Sequence, residues 1–346
     1  MIGHKDKRDY MNIGLIGIGY WGPNLVRNFS ALDDVNVTAV CDLRPERLEA
    51  IRKHFPAIKT FTTDASDIIN SSDIDAVAVV TPVSTHFPIG MDVLASGKHL
   101  FVEKPFTATV EQAERMIDLA EQKNLRIMVD HTFLYTGAVE TMKKYIDNGD
   151  LGELYYFDSV RVNLGLFQHD VNVIWDLAPH DVSIMDYLLD RTPRAIAGTG
   201  VSHINSDVEN IAYISTYYDN NLLGHIHVNW LAPVKVRKTL ISGSKKMVIY
   251  DDMEPHEKIK VYDNGVEITE DKDQIYNVLI QYRTGDMVSP KVDLTEALTK
   301  VSQEFYNSIN EKRYPKTDGH AGLRVVRILE AANKSIKSNG RVIEIK

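Results

Sequence analysis

Gly17, Gly19 and Gly22 fall at the spacing G-x-G-x-x-G directly after the apolar run Ile13-Gly14-Leu15-Ile16. The first glycine permits a tight turn, and the second lets the backbone approach a pyrophosphate. The third lets the following helix pack close to its strand. Ile18, Tyr20 and Trp21 fill the positions between and belong to the same candidate loop. Pro23 suits the first turn of that helix, whose free amides favour an anion. Asp42 stands twenty residues after Gly22, at the end of the run Val35–Cys41. A carboxylate there can accept from both hydroxyls of an adenosine ribose and repels a 2′-phosphate. NAD is therefore expected over NADP. Leu43 and Arg44 adjoin the same position, and Arg44 and Arg47 could soften that preference.

Two further constellations invite chemistry. Glu103-Lys104-Pro105 follows the apolar run His99–Val102, and Thr81-Pro82-x-x-x-His86 follows Ala76–Val80. An ammonium at the end of a buried strand can donate to a substrate oxygen, although this tripeptide could equally be a surface turn. Asp176-Leu177-Ala178-Pro179-His180 sets a carboxylate four residues before an imidazole. On a helix the two share a face, so the carboxylate could orient the ring; a cap plus a buried histidine is the plainer alternative. Pro179 demands that this be the first helical turn. His225 and His227 share a strand face but have no evident third ligand, so no metal is expected. Lys235, Arg237 and Lys238 form a short basic cluster that could meet a substrate phosphate.

The elements that must position these residues alternate through the first 130 positions. Helices are expected at Arg44–His54, around Ile89–Leu94 and after the capping box Thr109–Gln112. Strands are expected near Lys59–Phe61, Ala76–Val80, His99–Val102 and Arg126–Val129. Six strands with intervening helices make a doubly wound parallel sheet, with its ligand beyond the strand C-termini. After Asp130 the pattern alternates like antiparallel strands: Leu154–Asn163, Arg194–His203, Glu209–Tyr218, Leu222–Trp230, Arg237–Ser242 and Met247–Tyr250. Helices near 138–147, 176–189, 294–310 and 322–338 accompany them. The expected class is α/β, with a second, α+β domain built on an open, mostly antiparallel sheet covered on one face. The domains are drawn at 11–132 and 133–346, after a flexible extension at 1–10.

Composition bounds the function. The chain has 346 residues, 44% apolar and 25% charged, with a formal charge of -9. That charge argues against nucleic acid. No apolar stretch approaches the ~20 residues of a membrane span. Cys41 is the single cysteine, so no internal disulfide forms. This fits a cytoplasmic location.

The combination Gly17-x-Gly19-x-x-Gly22, Thr81-Pro82-x-x-x-His86 and Glu103-Lys104-Pro105 resembles the Gfo/Idh/MocA family, relatives of glucose–fructose oxidoreductase and inositol dehydrogenase. The resemblance covers nearly the whole chain and is strongest through residue 105. It implies an N-terminal Rossmann domain and hydride transfer between a nicotinamide and a secondary alcohol of a sugar or polyol. Asp176-x-x-x-His180 is similar to a second signature of inositol dehydrogenases. The implied catalytic residues are Lys104, Asp176 and His180. Thr81, Pro82, His86, Glu103 and Lys104 join the glycine loop, Asp42, Leu43 and Arg44 in holding the cofactor. Lys104, His131, Asn163, Asp176 and His180 are expected to face the substrate.

The chain departs from many relatives at Asp170–Trp175 and at His131-Thr132-Phe133-Leu134, both where substrate is expected. The resulting expectation is an NAD-dependent dehydrogenase of a sugar, in particular a nucleotide-linked hexose such as a UDP-sugar oxidised at its 3-position. The alternatives are a keto-sugar reductase, an inositol-type dehydrogenase and an NAD-binding sensor without turnover. The open sheet predicts a homodimer or homotetramer, because monomers rarely expose a large apolar face.

Overall fold

The computed structural model describes residues 10–165, 171–204, 208–263, 265–267, 281–283 and 285–345, the side chains of 265–267 and 281–283 excepted. The charged extension at 1–9, Asp170 and the Asn264 half of the expected Asn264-Gly265 turn lie outside the described residues.

Strands β1 (Met11–Ile16), β2 (Val35–Cys41), β3 (Thr60–Thr62), β4 (Ala76–Val79), β5 (His99–Val102) and β6 (Ile127–Val129) form a parallel sheet ordered β3-β2-β1-β4-β5-β6. Helices α1 (Gly22–Ser30), α2 (Pro45–His54), α3 (Ser66–Ile69), α4 (Val83–Ala95) and α5 (Val110–Gln122) connect them. Every residue of β1 and β4 is buried, as strands covered on both faces require. The order reverses between β1 and β4, which opens a crevice at the C-terminal edge of the sheet. The expected cap of α5 forms: Thr109 Oγ1 accepts from the Gln112 amide at 3.3 Å, and Gln112 Oε1 accepts from the Ala108 amide at 3.2 Å.

The second sheet has nine strands, ordered β16-β13-β12-β11-β7-β10-β9-β8-β17. Its central members are β7 (Leu154–Leu164), β8 (Ala195–Val201), β9 (Ile211–Tyr217), β10 (Leu223–Asn229), β11 (Leu231–Gly243) and β12 (Met247–Asp251). Short strands extend both edges: β13 (Ile259–Tyr262) and β16 (Met287–Val288) on one side, β17 (Ile343–Glu344) on the other. A separate two-stranded ribbon pairs β14 (Gly265–Glu267) with β15 (Gln281–Arg283). Among the described strands of this second sheet, only β7 and β10 pair in parallel. Helices α6 (Gly137–Asp147) and α7 (Val173–Leu189) complete this unit. Gly224 faces α7 so closely that a Cβ would stand 2.7 Å from Met185 Sδ. Its neighbours Leu223, His225 and His227 therefore point to the other face. There the register sets them beside Tyr217, Tyr213, Tyr156, Asp158 and Val160.

The chain then returns to the first sheet. Phe305 of α8 (Ala297–Asn310) meets Phe29 and Phe101 edge-on, at centroid distances of 6.2 and 5.6 Å. Arg126 donates through Nη2 to the Lys312 carbonyl at 2.9 Å and through Nε to the Arg313 carbonyl at 3.0 Å. The compact units differ accordingly from the division drawn at 132/133. One runs to Tyr135 and resumes at Thr295–Val326; the other holds Thr136–Leu294 and the chain from Arg327. Helix α9 (Gly319–Lys337) passes from one to the other. Among the described residues no helix is long and apolar enough to cross a membrane.

Candidate active site

The glycine turn is shaped by what a side chain would strike. Gly17 has φ +99°, and a Cβ there would lie 2.5 Å from the Val80 carbonyl oxygen at the end of β4. A Cβ on Gly22 would meet the Gly17 carbonyl oxygen at 2.7 Å, so α1 starts directly against the turn. Gly19 is different: only Arg47 Nη1, at 3.7 Å, lies within reach of a Cβ. No side chain caps the N-terminus of α1. An open glycine beside an uncapped helix start fits a pyrophosphate.

Asp42 ends β2 and is buried. Its Oδ2 accepts from the Ile18 amide at 2.7 Å and from Arg47 Nη1 at 3.2 Å; its Oδ1 accepts from the Arg44 amide at 2.9 Å. Burial pushes this carboxyl up, but the Arg44 and Ile18 amides and the Arg47 guanidinium outweigh it and hold the group ionised below its ordinary value. Arg44 thus contributes its amide, while Arg47 bridges the carboxylate and Gly19. Leu43 is 86% and Tyr20 83% exposed, with Trp21 edge-on to Tyr20 at 5.3 Å. These residues fit a dinucleotide: phosphate at the turn, ribose at Asp42, and exposed apolar side chains beside them.

The same sheet edge collects a second group. Strand β5 pairs with β4 and β6 through Val102↔Val79 and Val102↔Val129. Glu103 and Asp130 consequently leave the sheet side by side, both buried. Glu103 Oε2 accepts from the Lys104 amide at 3.0 Å, and Asp130 Oδ1 accepts from Thr132 Oγ1 at 2.6 Å. Burial and the Asp130 charge push Glu103 up to about 8, and burial pushes Asp130 up to about 6. Lys104 is half-buried, ahead of a cis bond to Pro105.

His86 is enclosed, with Nε2 2.8 Å from the Thr81 carbonyl and Nδ1 2.9 Å from that of Pro105. It ties the end of β4 to the Glu-Lys-Pro turn, and burial lowers its pKa. Thr81 Oγ1 accepts from Thr85 Oγ1 at 2.7 Å, and Pro82 leads into α4. His131 follows Asp130 and is 1% exposed, with no hydrogen-bond partner at either ring nitrogen. Burial, then Lys104 and Arg324, lower it to about 3, so the ring is neutral. Tyr135 donates or accepts at Thr317 Oγ1, 3.3 Å away, and burial raises its pKa.

In the second unit the helix bearing Asp176 and His180 starts earlier than expected. Asn172 caps it, accepting from the Trp175 amide at 3.2 Å, and Asn172 Nδ2 donates to Glu209 Oε2 at 2.9 Å and to Asn333 Oδ1 at 3.1 Å. Pro179 therefore lies inside α7 rather than in its first turn, a correction to the sequence reading. Asp176 Oδ2 accepts from the indole Nε1 of buried Trp230 at 2.9 Å. Gly165 lies against the same indole, and a Cβ there would stand 3.4 Å from Asn163 Nδ2. Asn163, Trp230 and Asp176 thus cluster, with His180 one turn further along α7. The residue after His180, Asp181, is anchored to β7 by Arg161 Nε at 2.5 Å and Ser159 Oγ at 2.6 Å.

The remaining constellations are occupied by local partners. Arg237 pairs with Asp252 at 3.2 Å and Lys238 with Asp251 at 3.1 Å, which neutralises most of the basic cluster. His225 Nδ1 lies 3.0 Å from Asp158 Oδ1, and Tyr213 stacks on His227 at 4.4 Å. Among the described residues no three His, Cys, Asp or Glu side chains group as metal ligands do. Asp130, Trp230 and Asn172 were not singled out from sequence as site residues, whereas Arg47 was named only as softening the cofactor preference. Asp130 had a signal: it follows β6 at the offset at which Glu103 follows β5.

Two family models match this chain. Residues 11–131 match the oxidoreductase family with an NAD-binding Rossmann fold, and residues 139–249 match the C-terminal domain of the same GFO/IDH/MocA family. A UDP-N-acetylglucosamine 3-dehydrogenase from Acidithiobacillus ferrooxidans is 22% identical over 325 residues, 92% of this chain and 94% of the relative. Levoglucosan dehydrogenase, solved with NADH and levoglucosan, superposes with a TM-score of 0.82 at 21% identity, covering 97% of this chain and 99% of that one. An oxidoreductase from Agrobacterium radiobacter, solved with NAD+, L-tartaric acid and magnesium, gives 0.81 at 18% identity over 96% and 98%. At such identities the structural likeness speaks to the fold.

Proposed function

The chain belongs to the Gfo/Idh/MocA family of NAD-binding oxidoreductases, and from that premise we propose that it oxidises a secondary alcohol of a sugar. The observation that carries this reading is the gathering of the glycine turn, Asp42 and Lys104 at one edge of the parallel sheet. Gly17–Gly22, Asp42, Leu43 and Arg44 hold the dinucleotide, with Arg47 beside them; Thr81, His86 and Glu103 form the edge where its other half lies. NAD supplies the hydride acceptor.

His180 acts as the base that takes the hydroxyl proton, since an imidazole near ~6.5 suits that transfer at neutral pH. Asp176, held by Trp230, fixes the ring and favours its protonated form. Lys104 holds the reacting oxygen through a charge-assisted hydrogen bond as negative charge develops. His131 and Asn163 complete the substrate side.

For the sugar itself, the UDP-N-acetylglucosamine 3-dehydrogenase relative supports a nucleotide-linked hexose. The pairing of Arg237 and Lys238 with Asp252 and Asp251 favours a second reading, a free sugar or polyol, because those cations are already neutralised. A panel of UDP-sugars, free hexoses and inositol, followed by NADH absorbance, separates them. Turnover confined to UDP-sugars supports the first reading, and turnover on free sugars the second. Tight NAD binding without turnover across sugars and polyols overturns both in favour of a sensor. We further propose assembly through the sheet face that carries Tyr156, Tyr213 and Leu223; a monomer in light scattering at micromolar concentration contradicts it.

A further inference from the structure

Glu103 and Asp130 form an arrangement that no cofactor contact explains. The β5–β6 register sets them adjacent, and both are buried. Two ionised carboxylates only accept and repel each other, so burying them side by side favours one proton held between them. Their other recorded donors are spoken for: the Lys104 amide serves Glu103 and the Thr132 hydroxyl serves Asp130. Two buried negative charges would face the single ammonium of Lys104, whereas one shared proton leaves one charge against one.

The surroundings are otherwise fixed. On α4, His86 is committed to the carbonyls of Thr81 and Pro105. After β6, His131 is held neutral, with Arg324 of α9 acting on it. Tyr135 keeps its proton and feels Glu304 of α8 as well as Asp130. The carboxyl pair and Lys104 are therefore the groups here whose charge balance a ligand can move.

A dinucleotide seated on the Gly17–Gly22 turn spans the point where the strand order reverses, with one half on the β2 side and the other on the side of β4, β5 and β6. Its nicotinamide carries a positive charge when oxidised and none when reduced. We propose that Glu103 and Asp130 are a proton-holding site that reads this charge, releasing their shared proton when the oxidised cofactor binds and keeping it when the reduced cofactor binds.

On release, one carboxylic O–H bond breaks and the proton passes to bulk water; no electron moves. During oxidation of an alcohol the C–H electron pair would leave as hydride, His180 would take the hydroxyl proton and pass it to water, and the emptied carboxyl pair would take one proton back from water. Charge balances: one positive ring charge and two carboxylate charges become no ring charge and one carboxylate charge. The proton then stays on the protein until the reduced cofactor leaves. Burial raises both carboxyls from the ordinary carboxylate range toward neutral pH.

This proposal rests on the cofactor reading, and calorimetry with NAD+ and NADH tests the two separately, without any sugar. Titrations at pH 7 in buffers of different ionisation enthalpy count the protons released. A fraction of a proton is expected for NAD+ and none for NADH. The affinity for NAD+ relative to NADH should rise with pH around neutrality, by at most about tenfold per pH unit for one proton. Asp130→Asn removes one of the two carboxyls between which the proton is held and should abolish the difference. Glu103→Gln should do the same from the other side. Because either variant could fail to fold, the wild-type proton count decides alone. Equal proton release with both dinucleotides, or an unchanged difference in a folded variant, overturns the proposal. Binding of neither dinucleotide overturns the cofactor reading and the proposal together.

Discussion

The two sheets build their functional residues in different ways. In the parallel sheet the site is made by backbone: a glycine at φ +99°, an uncapped helix start, and carboxyls that leave neighbouring strands at matched register. In the antiparallel sheet it is made by side chains from distant segments, as when Trp230 at the end of β10 holds Asp176 on α7. The first kind of site tolerates almost any chain beyond its few constrained positions. The second depends on how the strands between its members happen to pack.

The sharpest way to break this contrast is at Gly17. Gly17→Ala would place a Cβ against the Val80 carbonyl oxygen in a backbone conformation that L residues rarely adopt. Such strain costs ~1–3 kcal/mol before the clash is counted. NAD binding by calorimetry should fall by about 100-fold or more; near-normal affinity would show that the turn does not cradle the pyrophosphate. The chemical residues come next. His180→Ala and Lys104→Ala should each lower kcat by ~10²-fold or more while NAD binding survives. If His180→Ala turns over normally, the Asp176–His180 pair is structural.

A smaller effect is expected at Trp230. Trp230→Phe keeps most of the packing but removes the donor to Asp176. A hydrogen bond to a charged group is worth ~1.5–3 kcal/mol, and the part of it that orients His180 should appear as a roughly tenfold loss in kcat with NAD affinity unchanged. Equal losses in kcat and NAD affinity would mean that the indole supports the fold instead.

What the sequence made legible follows the same divide. The glycine spacing, Asp42 and the apolar run of β4 are local signals, and the structure has the six strands in doubly wound order. Strands β7 to β12 were legible through alternation. The edge strands β13, β16 and β17, of two to four residues, are too short to alternate visibly. The start of α7 was misplaced because Asn172 was not recognised as a cap. The return of Thr295–Val326 to the first sheet was also hidden, since contacts between distant positions, such as Phe305 against Phe29 and Phe101, reveal it. Trp230 could not be assigned to Asp176 from a sequence in which the two stand 54 positions apart.

Cofactor choice gives a moderate effect. Asp42 repels a 2′-phosphate, but Arg47 already neutralises part of its charge. NAD should bind at least tenfold tighter than NADP, a difference of about 1.4 kcal/mol. Asp42→Ala should narrow that gap while leaving Arg47 free to meet a phosphate. Equal affinities in the wild type would show that the ion pair cancels the discrimination.

The smallest expected effect concerns acid stability, and it too separates the sheets. His131 and His99, both beside the parallel sheet, have values lowered by burial to about 3 and about 4. Above an unfolded value of ~6.5 each ring is neutral in both states and costs nothing on this account. As pH falls below 6.5 the unfolded chain takes up protons that the folded one refuses, so stability drops, by up to ~1.4 kcal/mol per pH unit for each histidine. The loss is complete only near the folded values. The imidazole of His131 has no hydrogen-bond partner, so an apolar replacement of similar size should be nearly neutral at pH 7. His131→Leu should therefore leave Tm unchanged or raised at pH 7.5 and flatten its decline between pH 6.5 and 5, with part of the remaining slope owed to His99 and His86. A decline as steep as in the wild type would show that His131 is solvated or protonated in the folded protein.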